Sequence, residues 1–329
     1  MSNTKNTTRW LDAFKVYTHP RVIGMLFLGF SAGLPLLLVL GPLSFWLSEA
    51  GITRATIGHL SWVGLAYGFK FLWSPLVDRL NLPILTARLG RRRAWLLVSQ
   101  ICIAAALLGM ANTDPALNLT HMVWFALAVA FASATQDIAL DAYRIEAVEI
   151  EQQGAMAATY QAGYRLAMIT AGAGVLWIAA SLDPSETTYD FHPWQVAYTA
   201  MAGLMFIGIL TTLIIREPEK KVSTTINEHE AQARERFAAA GLSGAALNAT
   251  AWFYGAVLSP FIDFMRRFKW QAALMLALIA VYRISDIVMG VMSNPFYQEM
   301  GFTKDEVATV SKVYGVIMTV VGAVLGGIL

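Results

Sequence analysis

Eight apolar segments, each long enough to cross a lipid bilayer, recur along this chain of 329 residues. They run over approximately 22–47, 57–77, 94–112, 121–142, 154–180, 194–215, 270–295 and 307–329. A bilayer core requires about 20 apolar residues in a helix that rises about 1.5 Å per residue. The pattern therefore predicts an all-α polytopic membrane protein.

Composition excludes an ordinary soluble domain. Hydrophobic residues make up 57% of the chain and charged residues 14%, against about 25% charged in soluble proteins, so the apolar surplus must face lipid. The single cysteine, Cys102, excludes a disulfide framework. Because no metal-ligand spacing, phosphate-binding loop or nucleophile arrangement occurs, we predict no enzymatic activity, no cofactor and no metal.

The first apolar segment is rich in glycine and proline. It contains Gly24, Gly29, Gly33, Pro35, Gly41 and Pro42. Such a density is tolerated in a membrane only where neighbouring helices or a cavity satisfy the freed backbone groups. We therefore predict that this segment bends and lines a cavity. Because the segment is too long for the apolar region of a signal peptide and lacks a clean small-residue cleavage site, we predict a retained span rather than a cleaved signal.

Lysine and arginine fall almost entirely on one side of the predicted membrane. If the N-terminus is cytoplasmic, the inside segments 1–21, 78–93, 143–153 and 216–269 hold 18 basic residues, and the outside segments hold two. The positive-inside rule therefore predicts a cytoplasmic N-terminus, with the basic loops against anionic lipids.

The long segment 216–269 begins as a charged linker and becomes partly apolar. Aromatic and aliphatic residues then recur at a spacing of three to four, namely Phe253, Val257, Phe261, Phe264 and Phe268. We interpret 243–265 as an amphipathic helix in the inner membrane interface. The alternative is an additional span, which would reverse the orientation of the last two segments.

Charged residues interrupt the fourth and fifth apolar segments. Asp137 and Asp141 are four residues apart and therefore share one helix face. Arg165 follows in the next segment, near the same depth. Charges at membrane depth are costly and usually mark an ion or substrate path, so we expect the functional site within 131–165.

An internal repeat relates the two ends of the chain. Shifting by 250 residues aligns 45–61 with 295–311 and pairs Glu49 with Glu299, Gly51 with Gly301, Thr53 with Thr303, Arg54 with Lys304 and Ser61 with Ser311. Parallel repeats of this kind, with six helices per half, characterise the major facilitator transporters.

The loop after the second apolar segment supports the same interpretation. It begins with Asp78 and Arg79 and ends with Gly90 and the basic run Arg91–Arg93. These residues resemble the D-R…G-R-[RK] signature between helices 2 and 3 of the major facilitator superfamily, here with an insertion between its two parts.

A narrower resemblance rests on six motifs in order. They are FSAGLPLLL, YGFKFLWSPLVDR, GRRRAWLL, ASATQDIALDAYR, GYRLAM and VYRISD. Together they resemble the AmpG-type anhydromuropeptide permeases, which import peptidoglycan turnover products with protons across the bacterial inner membrane. The resemblance implies a monomer that binds a small anionic glycan-peptide and protons and no nucleic acid.

The resemblance also implies a domain organisation. Residues 1–21 would be a cytoplasmic N-terminus, 22–215 a complete six-helix half, 216–269 a cytoplasmic linker, and 270–329 the first two helices of a second half that lacks its last four. Two functional alternatives stay open. One is transport of another organic anion such as an acyl-CoA, and the other is a transport-incompetent fragment or membrane scaffold.

The resemblance further implies a gate at the cytoplasmic side. In the superfamily an acid at the end of helix 4 pairs with a loop arginine, so we expect Asp141 to bind Arg91 or Arg92, with Asp78 in the same gate. Asp137 lies one turn deeper. We interpret Asp137 as the proton-coupling residue, with a permanent Asp137–Arg165 ion pair and substrate hydrogen bonding as alternatives.

The remaining polar residues at membrane depth are candidates for substrate binding. They are Lys70, Gln136, Tyr164, Arg165, Arg283, Asp286 and Lys312. Lys70 has no acid on its own helix, so it either extends to the inner interface or binds a substrate carboxylate. With Asp141 in the gate the cavity is net positive, which favours an anionic substrate.

Overall fold

The computed structural model describes residues 15–182, 189–219, 234–239, 243–255, 259–275, 277, 278, 281, 300 and 314–328. Within these residues the chain is helical and no strand occurs. This confirms the all-α class. The helices, numbered here in chain order, are α1 (Pro20–Leu40), α2 (Pro42–Glu49), α3 (Arg54–Leu60), α4 (Leu65–Phe69), α5 (Ser74–Arg79), α6 (Leu85–Leu89), α7 (Arg91–Ala111), α8 (Pro115–Ala147), α9 (Gln153–Ile169), α10 (Val175–Leu182), α11 (Phe191–Ile214), α12 (Gly244–Phe253), α13 (Ser259–Phe268) and α14 (Gly315–Ile328).

Among the residues that the structure describes, five helical stretches are long and apolar enough to cross a membrane, as judged by length and composition. They are Pro20–Glu49, Arg91–Ala111, Pro115–Ala147, Ile150–Leu182 and Phe191–Ile214. These stretches correspond to the first, third, fourth, fifth and sixth apolar segments. The first is interrupted, as predicted, and the structure places the break at Gly41, which separates α1 from α2, with Pro42 beginning the new helix.

The second apolar segment differs from its prediction as one continuous helix. It consists of α3, a 3-10 turn at Ser61–Gly64, α4, a second 3-10 turn at Lys70–Leu72, and α5. Glycines at 58, 64 and 68 each lower helix stability by about 1 kcal/mol relative to alanine, and Pro75 lacks an amide hydrogen to continue the ladder. Irregular backbone at membrane depth is tolerated where it faces protein or a cavity.

The closest helix packing joins α1 to α9, and glycine makes it possible. A methyl group on Gly163 would overlap the Leu26 carbonyl oxygen, and one on Gly29 would overlap the Tyr160 carbonyl oxygen. Small residues in this way let two membrane helices approach through their backbones. The packing fixes the position of α9, which carries Tyr160, Tyr164 and Arg165.

The chain divides into two compact units, Met1–Glu219 with Gly315–Leu329, and Lys220–Tyr314. In the first unit α7 packs against α8 and α11, and α14 packs against α9. The second unit contains α12 and α13. Within α13 the rings of Phe264 and Phe268 lie 5.1 Å apart, next to Arg266 and Arg267 in the last turn. Placement of this segment in the membrane interface stays a prediction.

Candidate functional site

One face of α8 carries a column of charged residues. Asp137, Asp141 and Arg144 are spaced by four and three residues, so they follow one another along the same side of the helix. The Arg144 guanidinium lies 3.4 Å from Asp141 Oδ1 and 5.6 Å from the centre of the Tyr160 ring. The charged face of α8 therefore contacts α9 through the Tyr160 ring.

Lys70 completes this column from the opposite side. Its ammonium nitrogen lies 3.8 Å from Asp137 Oδ2 and 3.9 Å from Asp141 Oδ2. The side chain of Asp137 is 19% exposed and that of Asp141 is 47% exposed. One cation therefore serves two acids, one of them largely buried and the other about half exposed. The sequence contained both acids and the lysine, but not their pairing, because the partners lie on different helices.

The position of Lys70 depends on the broken second segment. Lys70 begins the 3-10 turn that follows α4. Three residues later the Trp73 indole nitrogen donates to the Thr135 hydroxyl at 3.1 Å, which ties this turn to α8. The contact fixes the height of Lys70 against the two acids.

Arg165 does not form the ion pair with Asp137 that we weighed as an alternative. Its guanidinium contacts the Met168 sulfur at 3.8 Å, and it makes no ion pair among the residues that the structure describes. Tyr164 lies one residue before it, with its ring 5.8 Å from that of Tyr160. The cation beside Asp137 is Lys70.

Arg92 forms the expected ion pairs at one end of the bundle, but with a different acid from α8. Its guanidinium donates to Asp78 at 2.6 Å and to both carboxylate oxygens of Glu146 at 2.6 and 3.0 Å. The predicted partner was Asp141, which faces Lys70 instead. Glu146 lies more than a turn further along α8, level with the start of α7. Arg91 makes no ion pair in the described part of the chain.

A second set of contacts at this end was not predicted. The Glu217 carboxylate accepts from the backbone amides of Arg92 and Arg93 at 2.8 and 3.0 Å, which caps the N-terminus of α7. The Arg93 guanidinium donates to the carbonyls of Thr212 and Leu213 at 2.8 and 2.6 Å. A side chain that follows α11 therefore bonds the free amides of α7, and a side chain of α7 bonds the free carbonyls of α11. We call these contacts the reciprocal cap.

Gly90 is required by the reciprocal cap. Its φ of 90° lies in the left-handed region, and a methyl group there would overlap the Glu217 carboxylate. The glycine of the G-R-R-R motif therefore admits Glu217 to the amides of α7.

Gln136 lies on a different face from its neighbour Asp137. Its side chain is fully buried and its amide nitrogen donates to the Ser31 hydroxyl of α1 at 3.2 Å. The structure therefore places Gln136 in helix packing and not beside Lys70. Arg283, Asp286 and Lys312, the other predicted contacts, lie outside the described residues.

The opposite end of the bundle holds a cluster of aromatic and acidic residues. The Trp46 indole donates to the Tyr189 hydroxyl at 3.1 Å, and that hydroxyl donates to Asp114 at 2.7 Å. The Trp194 indole, stacked on Trp46 at 5.7 Å, donates to Glu49 at 2.7 Å. Burial and the nearby Asp114 carboxylate raise the pKa of Tyr189, so this hydroxyl stays a donor.

Comparisons with known proteins indicate the family of the chain. The sequence profile of the Major Facilitator Superfamily matches residues 21–329. The chain is 34% identical to a putative transporter named AmpG 4 from Rickettsia felis, over 95% of this chain and 68% of that protein. It is 35% identical to the anhydromuropeptide permease of Escherichia coli strain K12, over 96% of this chain and 56% of that protein. It is also 30% identical to a putative transporter named AmpG 3 from Rickettsia typhi, over 95% of this chain and 68% of that protein.

Proposed function

Because the chain belongs to the Major Facilitator Superfamily, within which it is similar to AmpG-type transporters, we propose that it imports anhydromuropeptides with protons. The protein is a multi-pass membrane transporter and not an enzyme. We place it in the inner membrane with its N-terminus in the cytoplasm, since its basic residues cluster in the segments that would then face inward.

The observation that carries the proposal is the sharing of Lys70 between Asp137 and Asp141. A substrate carboxylate near Lys70 would compete with both acids for one ammonium group. Asp137, mostly buried, would then lack a cation, and an uncompensated buried carboxylate is costly. Proton uptake at Asp137 removes that cost. Anion binding and proton binding therefore favour each other.

Asp141 provides the route for proton release in this proposal. It is more exposed than Asp137 and shares the same lysine. It also lies one turn closer to the end of α8 at which Glu146 binds Arg92, which we call the arginine end. When the substrate leaves, Lys70 returns to the two acids and the proton leaves on the exposed side. Tyr164 and Arg165 remain proposed substrate contacts on α9.

The gate of this proposal lies at the arginine end. It comprises Asp78, Arg91 and Arg92, with Glu146 in the place that we expected Asp141 to occupy. Two hydrogen bonds hold the Arg92 guanidinium to the Glu146 carboxylate, and such a charged pair has a defined geometry and is stronger than a pair of neutral groups. This end of the transporter would therefore have two distinct arrangements, one with the pair formed and one with it separated.

Uptake into vesicles tests the proposal. The full chain is reconstituted, a proton gradient is imposed, and accumulation of labelled anhydromuropeptide is compared with and without the gradient. Asp190→Asn, a change in an exposed helix cap, serves as a matched control for Asp137→Asn. Absence of any uptake would refute the substrate, and uptake that ignores the gradient would refute proton coupling.

A further inference from the structure

Three buried oxygen atoms at and near Asp137 have no hydrogen-bond partner among the described residues. They are the Tyr67 hydroxyl, the Ser133 hydroxyl and Asp137 Oδ1. The Tyr67 hydroxyl faces that of Ser133 and lies near Asp137, but none of the three oxygens forms a hydrogen bond of normal geometry within the part of the chain that the structure describes. Buried polar atoms in native proteins are almost always partnered, because losing water without a replacement is costly. A missing partner therefore requires an explanation.

The three oxygens form one surface because of helix periodicity. Ser133 and Asp137 are four residues apart on α8, and Tyr67 and Lys70 are three apart across the end of α4. The two elements pack against each other. Tyr67 therefore faces Ser133 on one level, and Lys70 faces the two acids on the next level toward the arginine end.

From this arrangement we propose that Tyr67, Ser133 and Asp137 Oδ1 form a neutral subsite that binds the hydroxyl and amide groups of the sugar part of the substrate. The inference rests on the proposed function and assigns a part of the substrate to a part of the site. Tyr67 and Ser133 were not among the residues that the sequence pointed to.

The chemistry of the three atoms selects the ligand. Each hydroxyl both donates and accepts, and the carboxyl of Asp137, protonated in the substrate-bound state proposed above, does the same. A sugar ring with an N-acetyl group offers adjacent donors and acceptors without net charge. None of the three groups is then charged, so this level offers no counter-charge to an anionic group, whereas Lys70 on the next level provides a cation. The sugar therefore binds at Tyr67 and Ser133, and a carboxylate binds at Lys70.

Stability of the ligand-free protein provides the first test, and it needs no substrate. Tyr67→Phe and Ser133→Ala remove hydroxyls that form no hydrogen bond of normal geometry among the described residues, so thermal unfolding of the ligand-free full chain should be unchanged or occur at a higher temperature. The matched controls are Tyr198→Phe and Thr212→Val. Their hydroxyls are buried and donate to another helix, to the Leu38 carbonyl and to the Gln100 side-chain oxygen, each at 2.9 Å, so both controls should unfold at a lower temperature.

Ligand binding provides the second test. The probe is the disaccharide that remains when the stem peptide is removed from an anhydromuropeptide, measured by calorimetry beside the intact compound. Tyr67→Phe and Ser133→Ala should each weaken binding of both probes by about five- to tenfold, the effect of one neutral hydrogen bond. The two control variants should bind both probes as tightly as the wild type.

Each failure has a distinct outcome. If Tyr67→Phe and Ser133→Ala destabilise the ligand-free protein as much as the controls do, these hydroxyls have partners and the subsite is refuted. If they leave stability and disaccharide affinity unchanged, the oxygens bind water only. If the wild type binds neither probe, the proposed substrate fails and the sugar subsite fails with it.

Discussion

Replacing Lys70 by glutamine should destabilise the protein by leaving the Asp137 carboxylate without its cation. A second substitution, Asp137→Asn, should recover part of that loss. At the observed separation of 3.8 Å between Lys70 Nζ and Asp137 Oδ2, two unit charges attract by about 4 kcal/mol at an effective dielectric constant of 20 and by about 1 kcal/mol in water. The lysine side chain is 36% exposed and that of the aspartate 19%. We therefore expect a coupling of about 2 kcal/mol, between these limits.

A double-mutant cycle measures this coupling. The free energy of unfolding in mixed micelles is determined for the wild type, Lys70→Gln, Asp137→Asn and the double variant. Lys70→Gln leaves Asp137 without its cation, so it should destabilise the protein. In the double variant neither charge remains, and its loss of stability should be about 2 kcal/mol less than the sum of the two single losses.

The control cycle pairs Asp137 with Arg144. Arg144 contacts Asp141 but makes no ion pair with Asp137. The effects of Arg144→Gln and Asp137→Asn should add within about 0.5 kcal/mol. If the Lys70 cycle is equally additive, Lys70 is not the counter-ion of Asp137, and the competition that links substrate to proton is wrong.

Three further predictions concern other parts of the molecule. Asp137→Asn should abolish gradient-driven accumulation of labelled anhydromuropeptide in vesicles while exchange without a gradient persists, since a neutral amide cannot cycle a proton; continued accumulation would contradict this role. Arg92→Gln and Glu146→Gln should each weaken closure at the arginine end, measured by cysteine accessibility, and the double variant should add little because the two side chains share one contact; additive effects would show that they act separately. Gly163→Val should lower the free energy of unfolding in mixed micelles by about 3 kcal/mol, because the new side chain meets the backbone of α1. The control is Gly203→Ala, at a position with open space around it. Equal effects of the two substitutions would refute the close packing of α1 on α9.

The spans could be predicted because their signal is local. Each long apolar stretch must satisfy its own backbone hydrogen bonds within one helix, so length and hydropathy suffice. The second segment is the exception. Its hydropathy correctly indicated an apolar segment. Its glycines at 58, 64 and 68 and its Pro75 together interrupt the helix around Lys70.

The partners of the charged residues could not be predicted, because they depend on distances between helices. The spacing of Asp137 and Asp141 was enough to place them on one face, but not to show that Lys70 reaches both. Asp141 and Glu146 are more than one helical turn apart along α8. Which of them reaches Arg92 depends on how far α7 is shifted along its axis relative to α8, and the sequence does not contain that shift.

The unpartnered hydroxyls of Tyr67 and Ser133 could not be found from the sequence at all. Tyrosine and serine are ordinary in membrane helices, where they usually bond to a neighbouring helix. What distinguishes these two is the absence of such a bond in the described residues, and that is a property of the packed structure alone.

The reciprocal cap also sets an order of events during synthesis. Glu217 bonds to Arg92 across 125 residues of sequence, so α7 emerges from the ribosome long before the residue that caps it. Glu217 follows α11, so it reaches these amides only after α11 has been made and has packed against α7. The cap therefore links the start of α7 to the arrival of the sixth apolar segment.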